Sequence, residues 1–192
     1  MRYAALILTA AGTGLRPSDV LGLCVDRIDF LRRTLKVDQQ LVRAKGGVAL
    51  SPKLKTAASY RTVPLPRIVC EVLAAHLARW PAEPDTGLIF TNETGGPIRH
   101  ASFAVTFERA QKAVTQLPTT PHDLRDYYAS LLIRQGLSVK AVQLRLGHAS
   151  ATTTLDRYAR LWPDDDDRTR DAVDAELGSL ADCSRTTGAS IG

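Results

Sequence analysis

The chain has 192 residues, 44% of them hydrophobic and 23% charged, which suits one globular domain with a sizeable core and excludes wholesale disorder. Its three cysteines, Cys24, Cys70 and Cys183, lie far apart, so a disulfide scaffold or zinc ribbon has no support and the chain reads as cytoplasmic. Net charge is +5 but unevenly spread: residues 1–160 hold 22 Lys/Arg against 12 Asp/Glu (+10), and residues 161–192 hold 3 against 8 (−5). A basic body with an acidic tail suggests a polyanionic partner for the body, although a solvated basic surface would give the same count.

In chain order, the apolar residues 3–11 predict a helix stopped by Gly12 and Gly14. The run between Arg2 and Arg16 is too short to span a bilayer, and an arginine-bearing box follows it at once, so neither a membrane span nor a signal peptide is expected. A short helix is expected over 18–23. Strand-like patches follow over 27–30 and 34–42, then a turn at Lys45-Gly46-Gly47 and a further strand over 59–65, which together predict a small antiparallel sheet. From Arg67 the pattern becomes helical: Ile68, Val69, Val72, Leu73, His76 and Leu77 keep a 3.6 period up to Trp80-Pro81, with His76 read as core. After the apolar segment Leu88-Ile89-Phe90 and the Gly95-Gly96-Pro97 turn, helices fit 101–114, 123–135, 139–146 and 152–161. Tyr127 and Tyr128 are expected in the core, and His100 has no evident partner. A last helix over 164–180 would start at Asp164 to Asp167, and 186–192 would be a frayed tail. The fold class expected is α+β, mainly helical.

The chemistry is concentrated between Pro121 and Arg160. His122 and Arg125, three apart, can address one ligand from a helix. Leu146-Gly147-His148 closes the next helix, where glycine permits a left-handed exit, and Ser150 can cap the helix that carries Tyr158. Upstream, Thr13-Gly14-Leu15-Arg16-Pro17-Ser18-Asp19 holds another arginine in a tight turn. In-line attack on a phosphodiester accumulates charge on non-bridging oxygens, to which guanidiniums donate in pairs and a histidine adds one donor. A tyrosine hydroxyl, with a pKa of about 10, needs a base or a positive field to act as nucleophile. A lysine can protonate the leaving alkoxide. These groups serve without a metal or cofactor.

With those boxes in that order, the sequence resembles the catalytic domain of the tyrosine recombinases, the phage-integrase family, from about Thr13 to Arg160. TGLRPSDVLGL resembles the first arginine box, HDLR the His-x-x-Arg box, LGH the second histidine, and Tyr158 the nucleophile. The resemblance implies that Arg16 and Arg125 clamp the scissile phosphate, that His122 is a base or transition-state donor, and that His148 bonds the same phosphate. Tyr158 would form a 3′-phosphotyrosyl intermediate, and Asp19 would buttress the arginine box. Lys55 matches the lysine of the family's β-hairpin, with Lys53 two residues away as the competing choice.

The resemblance further implies double-stranded DNA as partner, no metal or cofactor, a nucleoid-associated setting, and a homo-tetramer on synapsed DNA formed through the C-terminal segment. Val173, Leu177 and Leu180 would form the apolar stripe that packs that segment onto the neighbouring subunit; a lone protomer in isolation stays open, as does docking of the segment in cis. On this reading residues 1–163 are the catalytic domain without a preceding core-binding domain, and 164–192 an acidic helix and tail. The alternatives are a type IB topoisomerase-like enzyme and a remnant that only binds DNA or an intact integrase.

Overall fold

The computed structural model describes residues 2–115, 117–161, 170, 171, 173–175 and 177. The chain divides into two compact units, residues 1–161 and 162–192. In the second, residues 170, 171, 173–175 and 177 are helical, and Val173 and Leu177 are exposed. Leu180, the four aspartates of 164–167, Cys183 and the tail lie outside the described residues.

The first unit is built on α1 (Ala4–Thr13), whose Leu6 and Ala10 are buried between α3 (Arg67–Arg79) and α5 (Asp123–Arg134). Helix α1 runs through Gly12, where a stop was expected. A Cβ there would lie 2.6 Å from Val69 Cγ2 of α3, so the glycine lets two helices approach instead of ending one. The stop is Gly14, in the left-handed region. Helix α2 (Pro17–Leu21) follows at once, with proline at its first position and Asp19 accepting from the Arg16 N–H.

The β region is two small antiparallel sheets instead of one. Strands β1 (Ile28–Asp29), β2 (Thr34–Val37) and β5 (Arg61–Pro64) form the first, with Leu35 opposite both Ile28 and Val63. Leu35, Val37 and Val63 alternate into the core. Strands β3 (Gln40–Ala44) and β4 (Gly47–Ser51) form a separate hairpin around Lys45-Gly46. Segment 88–90 is buried: Leu88 makes an isolated antiparallel bridge to Cys24, and the chain then bends, with the Ile89 N–H donating to the Leu23 carbonyl.

Helices α4 (His100–Lys112), α5, α6 (Val139–Leu146) and α7 (Ala151–Tyr158) match the expected segments within two or three residues, and Ala159–Leu161 continues as a 3-10 turn. His76 is a core residue as read: it is buried, with Nε2 3.2 Å from the Ile89 carbonyl. Tyr128 is buried, but Tyr127 is 59% exposed, because adjacent helical residues point about 100° apart and only one can follow the buried stripe.

Candidate active site

The buried stripe of α5 runs through Arg125, Tyr128, Ala129 and Ile133, so its first turn places a guanidinium against the end of α1. His122 is the N-cap, half-buried one turn before Arg125. The arrangement is then fixed by the C-terminal end of α6, where three consecutive carbonyls each accept from a different arginine. Arg61 Nε donates to Arg145 O at 3.0 Å, Arg125 Nη2 to Leu146 O at 2.6 Å, and Arg16 Nη2 to Gly147 O at 3.0 Å. A helix C-terminus leaves such carbonyls without intrahelical partners and carries negative partial charge, which suits cations. Arg125 Nη1 also donates to Gly14 O at 2.5 Å, stitching the two arginine-bearing segments together.

Asp19 lies beneath this cluster, 5% exposed, 3.8 Å from Arg16 Nη1 and 3.6 Å from Arg61 Nη2. Burial raises its carboxyl above the ordinary range, although both arginines oppose the shift. Burial, and then the neighbouring Arg16 and Arg61 cations, push the Arg125 guanidinium down to about 9. Arg16 is the more open of the pair, with 30% of its side chain exposed. It borders a groove of about 990 Å³ lined also by Ser18, His100, Lys112, Pro121 and His122.

The left-handed exit at Gly147 (φ 65°) delivers His148, whose Nδ1 lies 2.9 Å from Thr154 Oγ1. Its ring stacks on that of Tyr158, with centroids 6.4 Å apart and planes 8° apart. Burial first, then Arg125, Arg16 and other cations, lower His148 to about 4; burial and Arg157 lower His122. Both imidazoles are therefore neutral at pH 7. Tyr158 is buried by α7 at 3% exposure and donates to Asp126 Oδ1 at 2.5 Å. Burial and that bond push its hydroxyl well above the usual phenol range.

The shift of His148 predicts a stability profile. Its folded value lies below the ordinary 6.5, so between about 6.5 and about 4 the unfolded chain binds more protons. The stabilisation is complete above pH 6.5 and is lost as pH falls towards 4. The contribution is about 1–2 kcal/mol once the ring's partial exposure is allowed for. Urea unfolding from pH 4 to 7 should show this slope, and His148→Gln should flatten it.

The structure thus gathers Arg16, Asp19, His122, Arg125, His148 and Tyr158 into one place. Lys55 differs from its expected setting: the hairpin ends at Ser51, and Lys55 sits in the bend before the 3-10 turn Ala57–Ser59. Lys53 and Lys55 are both exposed and flank the buried Leu54. Tyr60 Oη fixes this bend, accepting from the Leu54 N–H and donating to Pro52 O. The next residue, Thr56, bonds Ser59 Oγ at 3.0 Å, and Ser59 Oγ accepts from Arg16 Nη1 at 3.4 Å, so the bend is linked to the arginine cluster.

Sequence reading passed over four residues of the cluster: Arg61, Asp126, Thr154 and Arg157. Only Arg157 and Asp126 had a local signal, as polar neighbours of Tyr158 and Arg125; their partnership spans 31 residues and shows only in the fold. Among the described residues no group of three His, Cys, Asp or Glu side chains could hold a metal ion, and no helix is long and apolar enough to cross a membrane.

The sequence profile of the phage integrase family matches residues 1–164. Tyrosine recombinase XerD of Mycobacterium tuberculosis is 34% identical over 162 residues, covering 80% of this chain and 46% of that protein. The integrase of Staphylococcus phage L54a is 28% identical over 177 residues, covering 84% and 50%. Among solved structures, the Tn1549 transposon integrase in complex with a circular-intermediate DNA is 28% identical with a TM-score of 0.77, covering 91% of this chain and 58% of that one. The chain spans about half the length of the curated relatives it matches. The match over residues 1–164 takes in the arginine, histidine and tyrosine boxes in their order, and the chain belongs to the phage integrase family of tyrosine recombinases.

Proposed function

We propose that this chain is the catalytic part of a site-specific DNA recombinase, which breaks and rejoins DNA through a 3′-phosphotyrosine on Tyr158 in integrating or excising a phage or mobile element. One observation carries the reading: the buried Tyr158 ring stacks on neutral His148 within a cluster of four arginines, Arg16, Arg61, Arg125 and Arg157, against two carboxylates, Asp19 and Asp126. Such an excess of guanidinium over carboxylate suits a phosphodiester, whose charge relieves the repulsion among the cations.

In this reading the scissile phosphate enters beside the exposed edge of Arg16, and the free N–H groups of Arg16 and Arg125 take its non-bridging oxygens. His148 donates through Nε2 when Nδ1 accepts from Thr154. Tyr158 Oη attacks phosphorus while its proton passes to neutral His122, the O5′–P bond breaks, and Lys55 protonates the departing oxygen. The phosphotyrosyl bond conserves the phosphodiester, and rejoining reverses the steps. Residues 1–163 supply this chemistry. The acidic segment 164–192, which exposes Val173 and Leu177, joins neighbouring protomers into a tetramer on two synapsed duplexes, and the protein works at the nucleoid.

Incubation with labelled, nicked duplexes of randomised sequence, followed by denaturation, tests the proposal: DNA retained on the protein is the expected result, and none retained contradicts it. The role of Lys55 has its own test. Lys55→Ala should lose about 10²-fold or more in cleavage of a normal phosphodiester and regain it with a 5′-thio leaving group, which needs little protonation. Rescue of Lys53→Ala instead would move the role to Lys53.

A further inference from the structure

Asp126 lies outside every box by which the chain is recognised, yet it is the residue that touches the Tyr158 hydroxyl. Oδ1 accepts from Tyr158 Oη at 2.5 Å and from Arg157 Nε at 3.0 Å, and Oδ2 accepts from Arg157 Nη2 at 2.7 Å. The carboxylate is thus filled on both oxygens, by α7 alone. Arg125 and Asp126, adjacent on α5, point different ways: one to the carbonyls at the ends of α1 and α6, the other to the nucleophile. We propose that Asp126 is a positioning residue for the nucleophile: before DNA binds, it tethers the Tyr158 hydroxyl and the Arg157 guanidinium together and keeps the phenol neutral. This rests on the reading of Tyr158 as nucleophile.

The charged and titratable groups around the tether pull in opposite directions. From α5 and its cap come Asp123, Asp126, Arg125 and His122; from α7, Arg157; from the turn after α6, His148. Burial would raise the Asp126 carboxyl, but the bonds from Arg157 and Tyr158 outweigh it and hold it below the ordinary range, so the acceptor stays charged. A charged acceptor favours the protonated phenol, whereas Arg157 and Arg125 favour the phenolate. Removing the Asp126 carboxylate tips the balance at the phenol towards the cations, with Asp123 still facing Arg157 and His122 and Asp19 still facing Arg125. The tether must yield before attack, because the hydroxyl proton passes to His122 and the O–H must turn from Asp126 towards it.

The test reads Tyr158 ionisation in the free protein, by ultraviolet titration of each variant against its Tyr158→Phe counterpart. Asp126→Asn should lower the Tyr158 midpoint by at least about one pH unit, and Asp126→Glu should restore it. The rising limb of covalent-adduct formation against pH should move the same way. An unmoved or raised midpoint in Asp126→Asn overturns the proposal, since a merely structural role would alter melting temperature alone. Should that variant fail to fold, the wild-type chain still decides: a slowly exchanging, downfield hydroxyl proton absent from Tyr158→Phe supports the tether, and its absence from the wild type overturns it. Ionisation is read without DNA, so a shifted midpoint with no adduct would sink the recombinase reading and leave the tether standing.

Discussion

Replacing Arg125 with lysine is expected to slow formation of the covalent adduct by about 10²–10³-fold, the scale on which a positioned donor to a developing oxyanion acts. The size of the effect follows from how the guanidinium is held. Nη1 and Nη2 are anchored on Gly14 O and Leu146 O, which orients the remaining N–H groups. An ammonium cannot reach two carbonyls on different helices and still present a planar pair of donors. One buried carbonyl is left unpaired in the variant, so unfolding in urea should also show a loss of about 1–3 kcal/mol. Single-turnover cleavage near the wild-type rate would remove Arg125 from the clamp.

Gly14→Ala is expected to cost the fold several kcal/mol while leaving every charged group in place. Gly14 has φ 63°, where a side chain costs about 1–2 kcal/mol. An added Cβ would also lie 2.3 Å from Cδ1 of the buried Tyr128 ring, and relieving that overlap in a packed core costs about 1–3 kcal/mol more. The sum, about 2–5 kcal/mol, should appear as a lowered urea midpoint. Because Gly14 O is the acceptor for Arg125, the surviving folded fraction should cleave more slowly as well. A melting temperature unchanged from wild type would show that α1 and α5 are not packed as described.

The parts of this architecture legible in the sequence are those whose cause is local. Helix periods placed α3 to α7, Gly147 supplied the left-handed exit, and Ser150 caps α7 by accepting from the Thr153 N–H. The order of the boxes picked out Arg16, Asp19, His122, Arg125, His148 and Tyr158, which the fold brings into one place. What escaped depends on partners distant in sequence. Arg61 reads as an ordinary strand residue until it meets a carbonyl 84 residues away. Asp126 is one more polar residue on α5 until α7 folds over it. Lys55 was expected on the hairpin, but the ladder pairing Gln40 with Ser51 ends before it. Gly12 was read as a stop because the need for α3 to approach α1 is invisible in a single segment.

The most direct test of the central claim is the point of attachment between protein and DNA. Adduct formed on nicked duplexes would be digested with protease and nuclease, and the modified peptide identified by mass spectrometry. One nucleotide-bearing peptide is expected, modified on Tyr158 through a 3′-phosphate and absent when Tyr158→Phe is used. Attachment at another residue, or through a 5′-phosphate, would contradict the claim.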